Sequence, residues 1–92
     1  MYDRNTRQFL ADTLRELATA GVPVSVFGGW AEELFGLRPP GPHRDIDLLY
    51  PAADFSVLEE FLRAHSGLEE IEGKRFAHKR AYRQQGVLVE FS

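Results

Sequence analysis

The feature that most restricts the fold runs from Val24 to Tyr50: VSVFGGWAEELFGLRPPGPHRDIDLLY. A short β-rich apolar run, Val24–Phe27, stops at two glycines, and a helical pattern opens directly behind them. Gly28 and Gly29 permit a sharp turn and let another group approach the backbone closely. Gly36 to Pro42 holds three prolines and two glycines in seven residues, which rules out regular structure there. A second strand then starts at Asp45 and ends before Pro51. Along that strand Asp45 and Asp47 fall on one face and Ile46 and Leu48 on the other. Two adjacent carboxylates repel each other, and a fold tolerates them most easily around a cation. Hard divalent cations take oxygen ligands. Opposite them, the free N–H groups of a glycine turn that opens a helix suit an anion. Together they have the layout of a nucleotide phosphate site. Taken alone, the glycine pair reads first as a tight strand-to-helix turn and nothing more.

The rest of the chain supplies packing. The first helix is expected to begin at an Asn5 cap with Gln8 as its return partner. It buries Leu10, Leu14, Leu17 and Ala18, and ends at Gly21 before Pro23. Behind the glycines, Trp30 with Leu34 and Ala31 with Phe35 are spaced to pack a short helix on the sheet. Glu32 and Glu33 suit its first turn. A third helix is capped by Asp54, buries Leu58, Phe61 and Leu62, and ends near His65 and Gly67. Leu68–Ile71 reads as a short strand. Arg75–Arg83 and Val87–Phe91 read as a hairpin around Gln84-Gln85-Gly86. In its last strand Val87, Val89 and Phe91 share one face, and Leu88, Glu90 and Ser92 the other. A carboxylate inside Val-Leu-Val-Glu-Phe is costly if buried alone. A wet edge strand, a pairing with an arginine of the basic strand, and a functional acid are the three explanations left open.

Composition bounds the function. The 92 residues suffice for one small domain that buries roughly 60–70% of its unfolded surface. There is no cysteine, so disulfides and thiolate metal sites are excluded. No apolar run approaches the ~20 residues of a membrane helix. MYDRNTRQF has no apolar signal core, so a cytoplasmic location and no membrane partner are expected. A net charge of −3 argues against a broad nucleic-acid surface. The exception is Lys74–Arg83, KRFAHKRAYR, with five Lys/Arg and no acid. It is either a solvated strand pair or a phosphate-facing surface.

Gly28-Gly29-Trp30-Ala31, then His43-Arg44-Asp45-Ile46-Asp47-Leu48, then an acid on a later strand, resembles the polymerase-β-type nucleotidyltransferase superfamily. The nearest branch is that of the aminoglycoside (2″-type) nucleotidyltransferases. The resemblance spans residues 22–91. It implies an α+β fold: a small twisted mixed sheet with helices packed on one side. It implies transfer of a nucleoside monophosphate, adenylyl from ATP or the equivalent from another nucleoside triphosphate, to a hydroxyl of a small molecule or protein. Mg²⁺ or Mn²⁺ would be the cofactor, held by Asp45, Asp47 and Glu90. Glu90 would also help deprotonate the acceptor. Gly28 and Gly29 would hold the triphosphate, and Arg44, Lys79 and Arg80 are candidate contacts to it by charge and neighbourhood. The chain departs from the family pattern at Glu33, where an Asp is common, and at Gly41, where a basic residue is common. It is expected to lack the C-terminal helical domain that forms the acceptor pocket in antibiotic-modifying relatives. Minimal members also occur as antitoxins that modify or simply cover small helical proteins. A helical partner, a second copy of the chain, or a nucleotide-binding domain without turnover are therefore the alternatives.

Overall fold

A computed structural model describes residues 4–92. Met1–Asp3, part of the stretch read above for a signal core, lie outside the described residues. The elements in order are α1 (Arg7–Thr19), β1 (Ser25–Phe27), α2 (Gly28–Leu34), β2 (Asp45–Leu49), α3 (Ser56–Ala64), β3 (Glu69–Glu70), a 3₁₀ turn (Glu72–Lys74), β4 (Arg80–Gln84) and β5 (Val87–Phe91). The strands form one sheet in the order β1-β2-β5-β4-β3. Only β2 and β5 run parallel; every other neighbour is antiparallel. Among the described residues no helix is long and apolar enough to cross a membrane.

Strand alternation divides the sheet into two faces. Ile46, Leu48, Val89, Phe91 and Tyr82 are fully buried and share one cluster with Leu10 and Leu17 of α1, Trp30 of α2, and Leu58 and Phe61 of α3. All three helices thus bury apolar residues against the Ile46/Val89 face, as expected for an α+β sheet with helices on one side. The opposite face carries Asp45, Asp47 and Glu90. The two-residue turn Gln85-Gly86 has positive φ at both positions, 51° and 82°, which matches the twist of the β4–β5 hairpin.

Several local expectations change. The cap of α1 is Thr6, whose Oγ1 accepts from Phe9 N–H at 3.1 Å. Gln8 turns to Asp12 instead of closing a capping box. Asn5 is buried elsewhere. Its Nδ2 donates to the carbonyls of His43 (3.2 Å) and Asp45 (3.0 Å), and its Oδ1 accepts from Trp30 Nε1–H at 3.0 Å. A cap needs only local geometry, whereas this side chain found three partners distant in sequence. Helix α2 begins on the glycines themselves, and its Leu34 and Phe35 are exposed (48% and 79%) rather than packed on the sheet. Seven residues make two turns, so only one stripe, centred on Trp30, reaches the core. Asp54 precedes Phe55, the N-cap of α3, and its Oδ1 accepts from Ser56 N–H at 2.9 Å. Regular pairing in the basic stretch starts only at Arg80. Before it come the 3₁₀ turn and one isolated bridge, Phe76–Lys79.

Asn5→Ala leaves the indole N–H of Trp30 and two strand-entry carbonyls without their partner. It should cost about 1–3 kcal/mol, read as a drop in urea-unfolding free energy. Gln8→Ala should change it little.

Candidate functional site

Register alone brings the acids together. In the parallel β2–β5 pair Asp47 lies opposite Glu90 and Asp45 opposite Leu88. Strands in a sheet lie about 4.8 Å apart. One carboxylate oxygen from each of Asp45, Asp47 and Glu90 lies within 4.8 Å of the others. Such a set of hard oxygen donors fits a divalent cation. The electrostatics carry the same mark. Burial, then the charges of Asp45 and Glu90, push the Asp47 carboxyl above its ordinary value against the pull of Lys79. Burial also raises Glu90, but Lys74 and Lys79 outweigh it and leave that carboxyl below its ordinary value. The Lys74 ammonium lies 3.0 Å and that of Lys79 3.4 Å from Glu90 Oε2. Glu90 therefore pairs with the basic stretch, through two lysines and not through an arginine. Lys79 and Arg80, being consecutive, point to opposite faces. Arg80 crosses to Glu59 of α3 (3.2 Å) and lies over the Phe55 ring. Arg75 joins Glu59 as well, and Glu70 at 2.8 Å. Two arginines of the basic run thus bind structure, and two lysines face the acids.

Gly28 lies against the same centre. Phe27 pairs with Asp47 across β1–β2, so the next residue folds over the Asp47 side chain. Gly28 has φ +70°, and a methyl group placed on it would sit 2.5 Å from Asp47 Oδ2. Both the backbone conformation and the close approach exclude a side chain. A methyl on Gly29 would meet Arg38 Nη1 at 2.9 Å and His43 Nδ1 at 3.2 Å. Arg38 thus stands over the glycine turn, its guanidinium also 3.4 Å from Glu32 Oε1. Arg44 is exposed at the entry to β2.

Glu33 does not serve the helix dipole. It is buried, with Oε1 accepting from His43 Nε2–H at 2.8 Å and from Gly41 N–H at 3.1 Å, and Oε2 3.4 Å from Arg7. His43 is buried and stacks on Trp30 with ring centroids 3.9 Å apart. Its hydrogen bond to Glu33, helped by Gly41 and Arg7, holds the Glu33 carboxyl below its ordinary value despite burial. The proline-rich loop is therefore tied to α2 at Gly41 and His43, and Asn5 fixes the step from His43 to Asp45. Asn5, Glu33, Arg38 and Lys74 had no place in the sequence-derived site. For Glu33 the signal present was an acid ten residues before the histidine of the His-x-Asp motif.

A family model described as aminoglycoside-2″-adenylyltransferase matches residues 9–90, and the chain belongs to that family of nucleotidyltransferases. The match begins within α1 and ends at Glu90 in β5. No curated protein and no solved structure matches the chain.

Gly28→Ala should destabilise the fold by more than the ~1–2 kcal/mol of a left-handed residue, because Asp47 must also move. It should also weaken Mn²⁺ binding in calorimetry. Gly29→Ala meets only side chains and should unfold closer to the unsubstituted protein. Because the folded-state pKa of Glu33 is depressed, its contribution to stability is complete above the ordinary carboxylate value. It is lost as pH falls through the lowered one. Glu33→Gln should therefore be clearly less stable at about pH 7, with the gap narrowing toward about pH 3 in urea titrations.

Proposed function

We propose that the protein is a divalent-metal-dependent nucleotidyltransferase that moves a nucleoside monophosphate, adenylyl from ATP as the first candidate, onto a hydroxyl of a small molecule or protein. The observation carrying this reading is the convergence of Asp45, Asp47 and Glu90 beside a turn whose Gly28 admits no side chain. Membership of an adenylyltransferase family supports it.

Asp45, Asp47 and Glu90 would hold Mg²⁺ or Mn²⁺, which when bound neutralises phosphate charge and makes a hydroxyl easier to deprotonate. Each residue then has a task the geometry suits. Gly28 and Gly29 let the turn's backbone lie against Asp47, Arg38 and His43 with no side chain of its own between, and a triphosphate would approach the backbone there. Arg38, Arg44 and Lys79 offer positive charge to its oxygens. Glu90 is the acid available to draw the acceptor proton. The acceptor oxygen forms its bond to the α-phosphorus, and the bond from that phosphorus to the pyrophosphate oxygen breaks. Positioning and charge neutralisation carry most of the catalysis in such a transfer.

A second reading has one observation behind it. Leu34, Phe35 and Leu37, within four consecutive positions, are all exposed (48%, 79% and 78%), apolar groups suited to a protein partner. A domain acting through that surface would bind nucleotide and release no pyrophosphate.

Asp45→Asn and Asp47→Asn should each abolish metal-dependent ATP binding in calorimetry and leave the melting temperature equal or higher, since each removes like-charge repulsion. Unchanged ATP–Mg²⁺ binding in both variants would refute the assignment. Pyrophosphate release on adding a hydroxyl acceptor separates the first reading from the second.

A further inference from the structure

The two lysines hold Oε2 of Glu90, whose carboxylate also offers an oxygen to the Asp45/Asp47 group. Glu90 is nearly buried, and beyond these ammonium groups its Oε2 has no hydrogen-bond partner among the described residues. That carboxylate also lies within 4.8 Å of Asp45 and Asp47. An ammonium at 3.0 Å and a divalent cation on the same carboxylate repel strongly at such separations. The two states of Glu90, paired with lysine or facing the aspartates' cation, therefore compete.

The lysines are placed to move. Lys74 ends the 3₁₀ turn and Lys79 belongs to the isolated bridge before β4, so neither is held in a strand ladder. Their side chains are 40% and 35% exposed. The backbone around them is fixed: Ile71 N–H donates to Ala81 O at 2.9 Å, which lays the turn along β4 beside Glu90. A triphosphate offers several charged oxygens to an ammonium, against one buried carboxylate oxygen here.

We propose that Lys74 and Lys79 are positioning residues for Glu90: they hold its carboxylate when nucleotide is absent and release it when a nucleoside triphosphate draws their ammonium groups away. Glu90 then joins Asp45 and Asp47 at the cation only after nucleotide has arrived. This rests on the nucleotidyltransferase reading above and adds an order of loading to it.

The test titrates the full chain with MnCl₂ by calorimetry, first alone and then with a non-hydrolysable ATP analogue. The variants are Lys74→Met, Lys79→Met and their double, each also in a Glu90→Gln background. The double variant should bind Mn²⁺ alone on the order of tenfold more tightly, a usual size for such coupling. The gain should vanish in the Glu90→Gln background, and each single variant should give part of it. The analogue should strengthen Mn²⁺ binding in the unsubstituted chain more than in the double variant. Arg83→Met, whose arginine pairs with Glu69 and not with Glu90, should leave Mn²⁺ binding unchanged. No gain in either single or the double variant overturns the proposal. So does a gain that persists with Glu90→Gln, since it would be a field effect independent of the contact. If ATP binding depends on Asp45 and Asp47 while the lysine variants bind Mn²⁺ unchanged, this inference alone falls. If the unsubstituted chain and the variants bind neither Mn²⁺ nor the analogue, it falls together with the nucleotidyltransferase reading.

Discussion

Like-charge repulsion between Asp47 and Glu90 is the constraint the rest of the structure answers to. The parallel β2–β5 register sets the two acids directly opposite, and Asp45 stands two residues away on the same face. The ammonium groups of Lys74 and Lys79 offset part of that repulsion. The result is a divided set of carboxyls, with Asp47 raised and Glu90 lowered. Such an arrangement is costly for stability alone. It is tolerated because the opposite face of the same strands buries Ile46, Leu48, Val89 and Phe91 completely. One face of two strands stabilises the fold and the other spends part of that stability on charge.

Holding the acids in place requires the loop before β2 to be as well fixed as the strands. A run of three prolines and two glycines cannot supply its own hydrogen bonds. The structure supplies them from outside the loop. Glu33 receives Gly41 and His43, His43 lies against Trp30, and Asn5 joins Trp30 to the carbonyls on either side of Arg44. A buried polar network of this kind is stabilising only when its members are satisfied. Here the link from the start of α1 to Asp45 is continuous.

Much of this was legible because it rests on period and on glycine. Period-two alternation assigned Asp45, Asp47 and Glu90 to sheet faces, and the glycine pair marked the turn that closes over Asp47. The mixed sheet with helices on one face also agreed with expectation. What misled were residues whose type suits a local role. Asn5 is a good cap by type, Glu33 a good first-turn acid, and Phe35 a good packing residue. Tertiary partners took the first two, and the shortness of α2 turned the third to solvent. The lysines of the basic run were indistinguishable in sequence from its arginines. Lys79 and Arg80 part by alternation to opposite faces, one to Glu90 and the other to Glu59.

The chain by itself determined which residue types stand where: an alternating acidic strand, a glycine turn ahead of it, a later acid in an apolar strand. These follow from backbone geometry, which acts over a few residues. Tertiary structure decided that β5 lies beside β2, parallel and in the one register that sets Glu90 against Asp47. It also decided that lysines, not arginines, meet that acid. Pairing between segments forty residues apart depends on the packing of the whole core, and no local pattern encodes a distance.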